Sequence, residues 1–289
     1  MAAQGKPAKG GHVTKHRSLL VVTVGFVLAG GVGGAATASP APVSAPSVVH
    51  AALPVASPVV ANSEVRAEYK TSDGVTHVTL YETGFGVTAA DLYSRLKAQG
   101  VRGLQDPSVA RSSSAGGLQP NGVGPGGDPC GYNNATTLEC YPVTWARNGN
   151  LNPQIYYWDH TGSRWPVGSA ISTWNQSPNI HVVWSPGGCS SDRSTHCIDV
   201  SEGHDGSPNY WGLTGYNYDS NRNLLDGTVW IRFNDDEYHN DRGVTCQELG
   251  HSFGMGHNYS SSSCMYQAVT ASYPASDDYA LITAVLYPR

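Results

Sequence analysis

Thirteen residues near the C-terminus, Thr245-Cys-Gln-Glu-Leu-Gly-His-Ser-Phe-Gly-Met-Gly-His257, include side chains that could bind a metal ion together. Gln247 and His251 are four positions apart, so in a helix they lie on one face and can point at the same ion. Glu248 directly follows Gln247 and would place a carboxylate beside that ion. The spacing therefore predicts a metal site on a helix, with an acid–base group next to it.

The residues that follow extend this pattern. Gly254 comes three positions after His251, where a glycine in the left-handed conformation commonly ends a helix. The chain can then turn back and present His257 as a third ligand. An amphipathic helix with surface histidines is the simpler alternative, but it does not account for Gly254, His257 and the nearby segment Ser263-Cys-Met-Tyr266 together.

The composition is that of a globular protein with an acidic balance. Hydrophobic residues make up 39% of the 289 residues, enough for a core, while charged residues make up only 13%. The formal net charge is -5, and the first 38 residues contain four basic residues and no acid, so the remainder is more acidic still. An acidic chain with few lysines argues against binding to nucleic acid or to anionic membranes.

The N-terminus has the parts of a secretory signal peptide. Basic residues precede an apolar run from Leu19 to about Val32, and Ala36-Thr-Ala38 matches the small-x-small pattern of a cleavage site. A membrane anchor is the alternative, but glycines dilute the run, which is also short for a span. We therefore predict that residues 1–38 are a signal peptide, and that the protein is secreted, extracellular and without a stable membrane anchor.

Residues 39–128 are predicted to be a linker region that contains a small strand-and-helix unit, with a pro-region as one of two interpretations. Residues 39–63 are rich in Ala, Pro, Val and Ser, and residues 112–128 in Ser, Gly and Pro, which is typical of linkers. Between them, a strand pattern from Gly74 to Tyr81 precedes a helix pattern from Thr88 to Gly100. This unit is too small for a stable core of its own. It is either a removable pro-region or an accessory segment of the mature protein, and the sequence favours neither.

Residues 129–289 are predicted to form the main folded domain. Strands are predicted at Pro153–Asp159, Ile180–Ser185 and within Leu225–Phe233, and helices at Pro166–Gln176, about Val244–Phe253 and about Ser276–Leu286. Asp241 and Ser276 are candidate caps for the second and third of these helices. Loops are predicted for the region rich in Gly, Asn and Ser from Ser201 to Asn223.

Six cysteines in a secreted chain imply three disulfides. Pairing between sequence neighbours predicts Cys130–Cys140, Cys189–Cys197 and Cys246–Cys264. The last bridge would join the residue before Gln247 to the residue before Met265. Cys130 could instead be a free thiol that caps a metal in a proenzyme, but the even number of cysteines argues against this.

From about Cys130 onward the chain resembles metzincin-type zinc metalloproteases, closest to the matrixin-like and snapalysin-like secreted bacterial enzymes. Residues Glu248 to His257 supply most of the long zinc motif of that family, and Ser263–Tyr266 is similar to its Met-turn. The order of the predicted strands and helices is also similar. The resemblance implies an α+β fold with a twisted mixed sheet, an active-site helix, a Met-turn and a C-terminal helix.

The resemblance also implies a secreted zinc endopeptidase, expected to be a monomer, that acts on protein or peptide substrates. Zn²⁺ would be held by Gln247, His251 and His257, with a water molecule in the fourth position whose pKa the metal lowers. Glu248 would act as the general base, taking the proton of that water as it attacks the peptide carbonyl. Met265 would pack beneath the ligands.

Gln247 departs from the family pattern, which has histidine at this position. An amide oxygen can coordinate zinc, but it is a weaker donor than imidazole. Gln247 is therefore a weaker ligand in a working protease, or another residue completes the site, with His204, His239 or an Asp of Asn234–Glu237 as candidates. The third possibility is an inactive site, which would make the protein an extracellular binding module with a metzincin-like fold.

Two clusters of Asp and Asn, at Asn217–Asp226 and Asn234–Asp241, could hold a structural Ca²⁺ ion. They lack the defined spacing of a calcium-binding loop, and solvated turns account for them as well.

Overall fold

The computed structural model describes residues 64–109 and 138–289 except 142, 208 and 238, together with the backbone of 128–129. The chain divides into two units, Met1–Val55 and Ala56–Arg289, and every described residue belongs to the second. The predicted signal peptide and residues 39–63 and 112–127 of the predicted linkers lie outside the described residues. Among the helices that are described, none has the length and apolar composition needed to cross a membrane.

The described residues form ten strands, four α-helices and a terminal π-helical turn. In chain order they are β1 (Glu64–Lys70), β2 (Thr76–Thr83), α1 (Ala89–Ala98), β3 (Asp128–Pro129), β4 (Leu138–Cys140), β5 (Gln154–Asp159), α2 (Val167–Trp174), β6 (His181–Trp184), β7 (Thr195–Gly203), β8 (Tyr210–Tyr218), β9 (Trp230–Asn234), α3 (Asp241–His251), β10 (Met255–Asn258), α4 (Ser276–Leu281) and the π-helical turn Ile282–Leu286.

Seven strands form one mixed sheet in the order β1-β2-β8-β9-β7-β5-β6. The four strands β9, β7, β5 and β6 run parallel to one another, whereas β8 is antiparallel to both of its neighbours, β9 and β2. A second, three-stranded sheet has the order β10-β4-β3. The predicted α+β class with a mixed sheet is thus confirmed.

Helices α2 and α3 pack against each other. The indole Nε1 of Trp174, at the end of α2, donates a hydrogen bond to the backbone oxygen of Cys246 in α3 (2.9 Å), and its ring meets Phe253 edge to face. Every residue of α3 from Gly243 to His251 is buried, including the polar ones. A helix that is buried on all sides must satisfy its polar side chains inside the protein. The polar residues of α3 therefore need buried partners, such as other polar side chains or a bound ion.

Most of the predicted elements are confirmed, with shifted ends. The helix α1 has its N-cap at Thr88 and α2 follows Pro166, as predicted. The helix α3 begins three residues earlier than predicted, so Asp241 is its first residue and Asn240 is the cap, whose side chain accepts from the backbone N–H of Gly243. Ser276 is wrong as the predicted cap of the final helix, because the N-cap is Ala275 and Ser276 is the first helical residue; the helix continues as the π-helical turn.

The prediction of loops between Ser201 and Asn223 is wrong, because all of strand β8 and the end of β7 lie there. The glycines of this region indicate loops, but two of them lie in β8, where they allow close packing. A Cβ atom at Gly215 would lie 2.6 Å from the Trp230 indole nitrogen, and one at Gly212 would lie 2.8 Å from Cγ of Glu248. These glycines allow side chains of neighbouring elements to lie directly on the strand.

The N-terminal strands β1 and β2 belong to the main sheet, because β2 pairs with β8 from Thr76 to Thr83, and α1 packs against this part of the sheet. On one side they share a small apolar cluster with Tyr210 and Leu213 of β8, to which Val65, Val87, Ala89, Leu92 and Leu96 contribute. This resolves how a unit too small for its own core is stabilised. Residues of β8 supply the rest of its apolar core.

The bridges Cys189–Cys197 and Cys246–Cys264 are present as predicted. Cys140 is also disulfide-bonded, and Cys130, its predicted partner, lies outside the described residues. Disulfides of this kind fit an extracellular protein.

Candidate metal centre

Four buried side chains from four elements converge at one point: Glu64 of β1, Glu82 of β2, His251 of α3 and His257 of β10. One donor atom from each lies within 4.8 Å of all the others. Imidazole nitrogens and carboxylate oxygens are ordinary ligands of divalent metals, including zinc. The four residues could therefore hold a metal ion.

The two histidines are oriented by their surroundings. His251 Nδ1 is 2.8 Å from the backbone oxygen of Met255, which fixes the ring and leaves Nε2 facing the cluster. His257 Nε2 is 2.9 Å from Glu82 Oε1, and its Nδ1 is 3.8 Å from Glu139. Burial disfavours a charged imidazole, but the Glu82 carboxylate outweighs it and raises the pKa of His257 to about 10. The chain thus provides two imidazoles in fixed orientations, and the Nε2 atoms of both rings face the cluster.

Glu82 lies between the two histidines. Its Oε1 is 2.9 Å from His257 Nε2 and 3.3 Å from His251 Nε2, although the second contact is not aligned as a hydrogen bond. Burial acts to raise the pKa of this carboxyl, yet the neighbouring His257 and His251 lower it to about 2. Glu82 is therefore held as an anion at the point where the histidine nitrogens converge.

Glu64 completes the acidic side of the cluster. Its Oε2 accepts a hydrogen bond from the hydroxyl of Tyr141 (2.6 Å), and the Tyr141 ring lies 5.7 Å from the ring of His251, centroid to centroid. Tyr141 thus anchors Glu64 and packs on the ring of His251 at the same time.

Glu248 projects from α3 toward β8, next to the cluster. The hydroxyl of Thr214 donates to its Oε2, while no described residue bonds its Oε1. Burial, and then the negative charge of Glu82, raise the pKa of Glu248 well above its usual value. Gly212 makes room for this carboxylate, since any side chain there would overlap it. Its position follows directly from the glycine in β8.

Gln247 is fully buried one helical turn before His251. Its amide nitrogen donates to the backbone oxygen of Tyr266 (3.3 Å), which leaves Oε1 buried with no hydrogen-bond partner among the described residues. The amide is therefore tied to the turn that contains Met265, with its oxygen available as a donor atom to a cation.

The turn around Met265 is held against α3 at several points. A Cβ atom on Gly250 would lie 2.9 Å from Met265 Cε, so the absence of a side chain in α3 is what admits the methionine. The disulfide between Cys246 and Cys264 joins the same two segments. The backbone N–H of Asn258, the residue after His257, donates to the Met265 oxygen (2.8 Å). At the helix end, Gly254 has the predicted left-handed conformation with φ +98°.

A cation fits these residues because polar atoms are left over in the cluster, on Glu82 and His251, and on its α3 neighbours Gln247 and Glu248. Buried atoms with no hydrogen-bond partner among the described residues include Glu82 Oε2, Gln247 Oε1, Glu248 Oε1 and His251 Nε2. Buried polar groups are normally bonded, since leaving one unsatisfied costs about 1–3 kcal/mol. Four such atoms, all of a type that ligates metals, are what a site built for an ion would leave.

Other residues that the sequence suggested do not join the cluster. His204 pairs with Asp236 on the surface, and His239 stacks on Trp211 at 3.7 Å between ring centroids while its Nε2 faces the backbone oxygen of Ala268. Asp219 accepts hydrogen bonds from the backbone of its own turn. The segment Asn234–Asp241 is engaged with Arg164 through Asp235 and Asp241. These arrangements are those of turns and ion pairs.

Neither Glu64 nor Glu82 is predicted from the sequence. Glu82 is 175 positions from His257, and it falls one residue beyond the predicted strand. The one available signal for Glu82 was that it is a lone acidic residue at the end of an otherwise apolar and β-branched stretch.

Comparison of the chain with models of known protein families and with curated proteins finds no match.

Proposed function

We propose that this protein is a secreted zinc-dependent endopeptidase. The observation that carries the proposal is the convergence of His251 and His257 beside Glu248, with unsatisfied donor atoms on His251, Gln247 and Glu248. The resemblance of this segment to metzincins supports the same conclusion, as does a mixed sheet with a buried helix that carries the histidines.

His251, His257 and Gln247 would hold the zinc ion, joined by Glu82 when β2 lies in its observed place. Zinc bound there would supply a Lewis acid that polarises a peptide carbonyl and makes water more acidic. The ligand rings need no further alignment, because Met255 already fixes His251 and the packing around Met265 supports the base of the site.

Glu248 would transfer the proton. Its Oε2 is held by Thr214, so Oε1 is the free basic atom. The carboxylate would accept a proton from the attacking water and donate it to the amine that leaves. Burial and the charge of Glu82 favour the protonated form of Glu248, so the carboxylate would be ionised for the first step only where the charge of a bound cation offsets them.

One observation favours a second candidate, a non-catalytic extracellular binding module. All four residues of the cluster are buried, with His251 and Glu82 fully shielded from solvent. In this arrangement a peptide bond cannot reach the metal site, so the described form would bind an ion without cutting a substrate.

Zinc content and casein hydrolysis distinguish the two. We would purify the full chain as wild type and as Glu82→Ala, and measure bound zinc and cleavage with and without a chelator. The proposal expects one zinc per chain and chelator-sensitive cleavage in at least the Glu82→Ala protein, lost in Glu82→Ala/Glu248→Gln with zinc retained. Absence of chelator-sensitive cleavage from both wild type and Glu82→Ala would contradict the protease function and support the binding module.

A further inference from the structure

We propose that the N-terminal hairpin β1–β2 closes the metal site and completes it, with Glu82 as an anionic ligand and β2 in the place of a peptide substrate. This inference rests on the proposed function, because it concerns access to the same metal. It assigns the N-terminal unit a role in regulating the site.

The register of β2 on β8 places Glu82 at the site. The two strands pair antiparallel over eight residues of β2, and Glu82 is the partner of Gly212. Gly212 is also the residue over which the Glu248 carboxylate lies. The pairing therefore brings the Glu82 carboxylate to the two histidines on one side of β8 while Glu248 lies over the same position. A shift of one residue would turn Glu82 to the opposite face of the sheet.

The strand β8 is where an extended peptide would bind. Without β1 and β2, β8 would be the edge of the remaining sheet, with β9 on its other side. An exposed strand edge offers unpaired backbone groups and readily adds an extended peptide as a further strand. In the described structure β2 occupies this edge, and a peptide substrate would have to take its place.

The charges of the site explain why the hairpin would also strengthen metal binding. Without Glu82, the predicted ligands are two imidazoles and the neutral amide of Gln247. Glu82 adds a carboxylate whose Oε2 has no other described partner. An anionic oxygen binds a divalent cation more strongly than an amide oxygen does, so the closed form should hold zinc more tightly than the open one.

The hairpin is anchored next to Glu82 and again through α1. Next to Glu82, the backbone N–H of Gly84 bonds to the oxygen of Asn209 in the segment before β8. On the partner strand, Glu64 bonds to Tyr141. Further from the metal, the apolar cluster shared with Tyr210 and Leu213 holds α1 against the sheet. Glu82 is thus presented by a packed element.

The test compares zinc binding by full-length wild type, Glu82→Gln and Glu68→Gln. Glutamine keeps the size of Glu82 and removes its charge, whereas Glu68 lies on β1 in an ion pair with Arg66, outside the cluster. We expect zinc affinity, measured by competition with a chromophoric chelator, to fall by more than about tenfold in Glu82→Gln, since even a lost outer-shell partner costs that much. Release of zinc to excess chelator should become faster, and Glu68→Gln should match wild type.

Equal affinity and equal release rate in wild type and Glu82→Gln would overturn the inference. If His257→Ala had lost zinc in the same experiment, the metal site itself would stand and only the role of Glu82 would fall. If wild type bound no zinc, the proposed function would fail as well. Thermal unfolding followed by circular dichroism checks that each variant is folded. Should Glu82→Gln not fold, Glu82→Asp retains the charge on a shorter side chain, and unchanged zinc release from it would likewise count against the inference.

Discussion

Glu82 and His257 are 175 positions apart in the chain, yet Glu82 Oε1 lies 2.9 Å from His257 Nε2 in the interior of the protein. One residue comes from the N-terminal hairpin and the other from the segment in which the sequence predicts a metal site. The contact joins the predicted linker region, residues 39–128, to the predicted main domain, residues 129–289.

Replacing Gln247 with histidine should tighten zinc binding. Histidine offers a stronger donor in the same place on α3, one turn before His251. We expect affinity to rise at least about tenfold, measured by chelator competition, because an amide is exchanged for an imidazole. Gln176→His, at an exposed position after α2, is the control and should leave affinity unchanged. If Gln247→His bound zinc no better than wild type, Gln247 would not be a ligand.

Gly212→Ala should displace Glu248 and destabilise the protein. A Cβ at this position lies 2.8 Å from Glu248 Cγ, and overpacking of this kind typically costs about 1–3 kcal/mol. Chemical denaturation would measure the loss, and cleavage should fall while zinc stays bound. The matched control is Gly187→Ala, where a Cβ has no atom within 4 Å. Equal stability of the two variants would show that Gly212 is not needed for the placement of Glu248.

Removal of the Cys246–Cys264 bridge should weaken zinc binding as well as folding. The double variant Cys246→Ser/Cys264→Ser opens a loop of 18 residues, which the chain-entropy model values at about 3 kcal/mol. Because the bridge joins α3 to the Met265 turn, its loss should also raise the dissociation constant for zinc. The Cys189→Ser/Cys197→Ser protein is the control. It should lose a similar amount of stability in denaturant and retain wild-type zinc affinity; weaker zinc binding there would argue against a local effect.

Asp278→Asn should flatten the dependence of stability on acidic pH. Asp278 is buried, and burial raises its pKa from 3.8 to about 6 although Ser263, Asn258 and Ala275 donate hydrogen bonds to it. The folded protein therefore keeps this proton up to about pH 6, whereas the unfolded chain releases it near pH 4. The free energy of unfolding should fall as pH rises through this window, by about 3 kcal/mol from this group.

In Asp278→Asn that contribution disappears, so the slope between about pH 4 and 6 should be smaller. Asp277→Asn leaves Asp278 in place and should keep most of the wild-type slope, because the charge of Asp277 adds only weakly to the pKa of Asp278. Urea denaturation at half-unit steps of pH measures both. An unchanged slope in Asp278→Asn would mean that the buried carboxyl does not hold its proton in the folded state.

Much of the fold follows from local patterns. Helices α1 and α2 were predictable because the Thr88 cap of α1, the proline before α2 and the apolar spacing of both helices are encoded within a dozen residues. Strand β8 was not, because Gly212 and Gly215 are there for contacts with Glu248 and Trp230, which no local pattern encodes. Secondary-structure propensity alone assigns glycine to turns, whereas tertiary packing requires these two glycines within the strand.

The candidate site likewise contains residues that a local motif predicts and residues that only the folded sheet brings together. The motif predicts His251, His257 and Glu248 because one helix and one turn fix their spacing. Glu82 and Glu64 enter through strand pairing, and register over such a separation is set by the whole sheet. Gln247 lies where the motif expects a ligand, and its partnerless oxygen is a property that only the folded protein could reveal.

The pairing of β2 with β8 also bears on solubility. Seven of the nine residues of β8 are buried in the described structure, among them Tyr210, Trp211, Leu213 and Tyr216. If the hairpin left, a long and largely apolar strand would face solvent with its backbone groups unpaired, the kind of edge that pairs with other chains and aggregates. An opened molecule would therefore depend on continuous occupation of that edge, by peptide or by the returning hairpin, to remain dispersed.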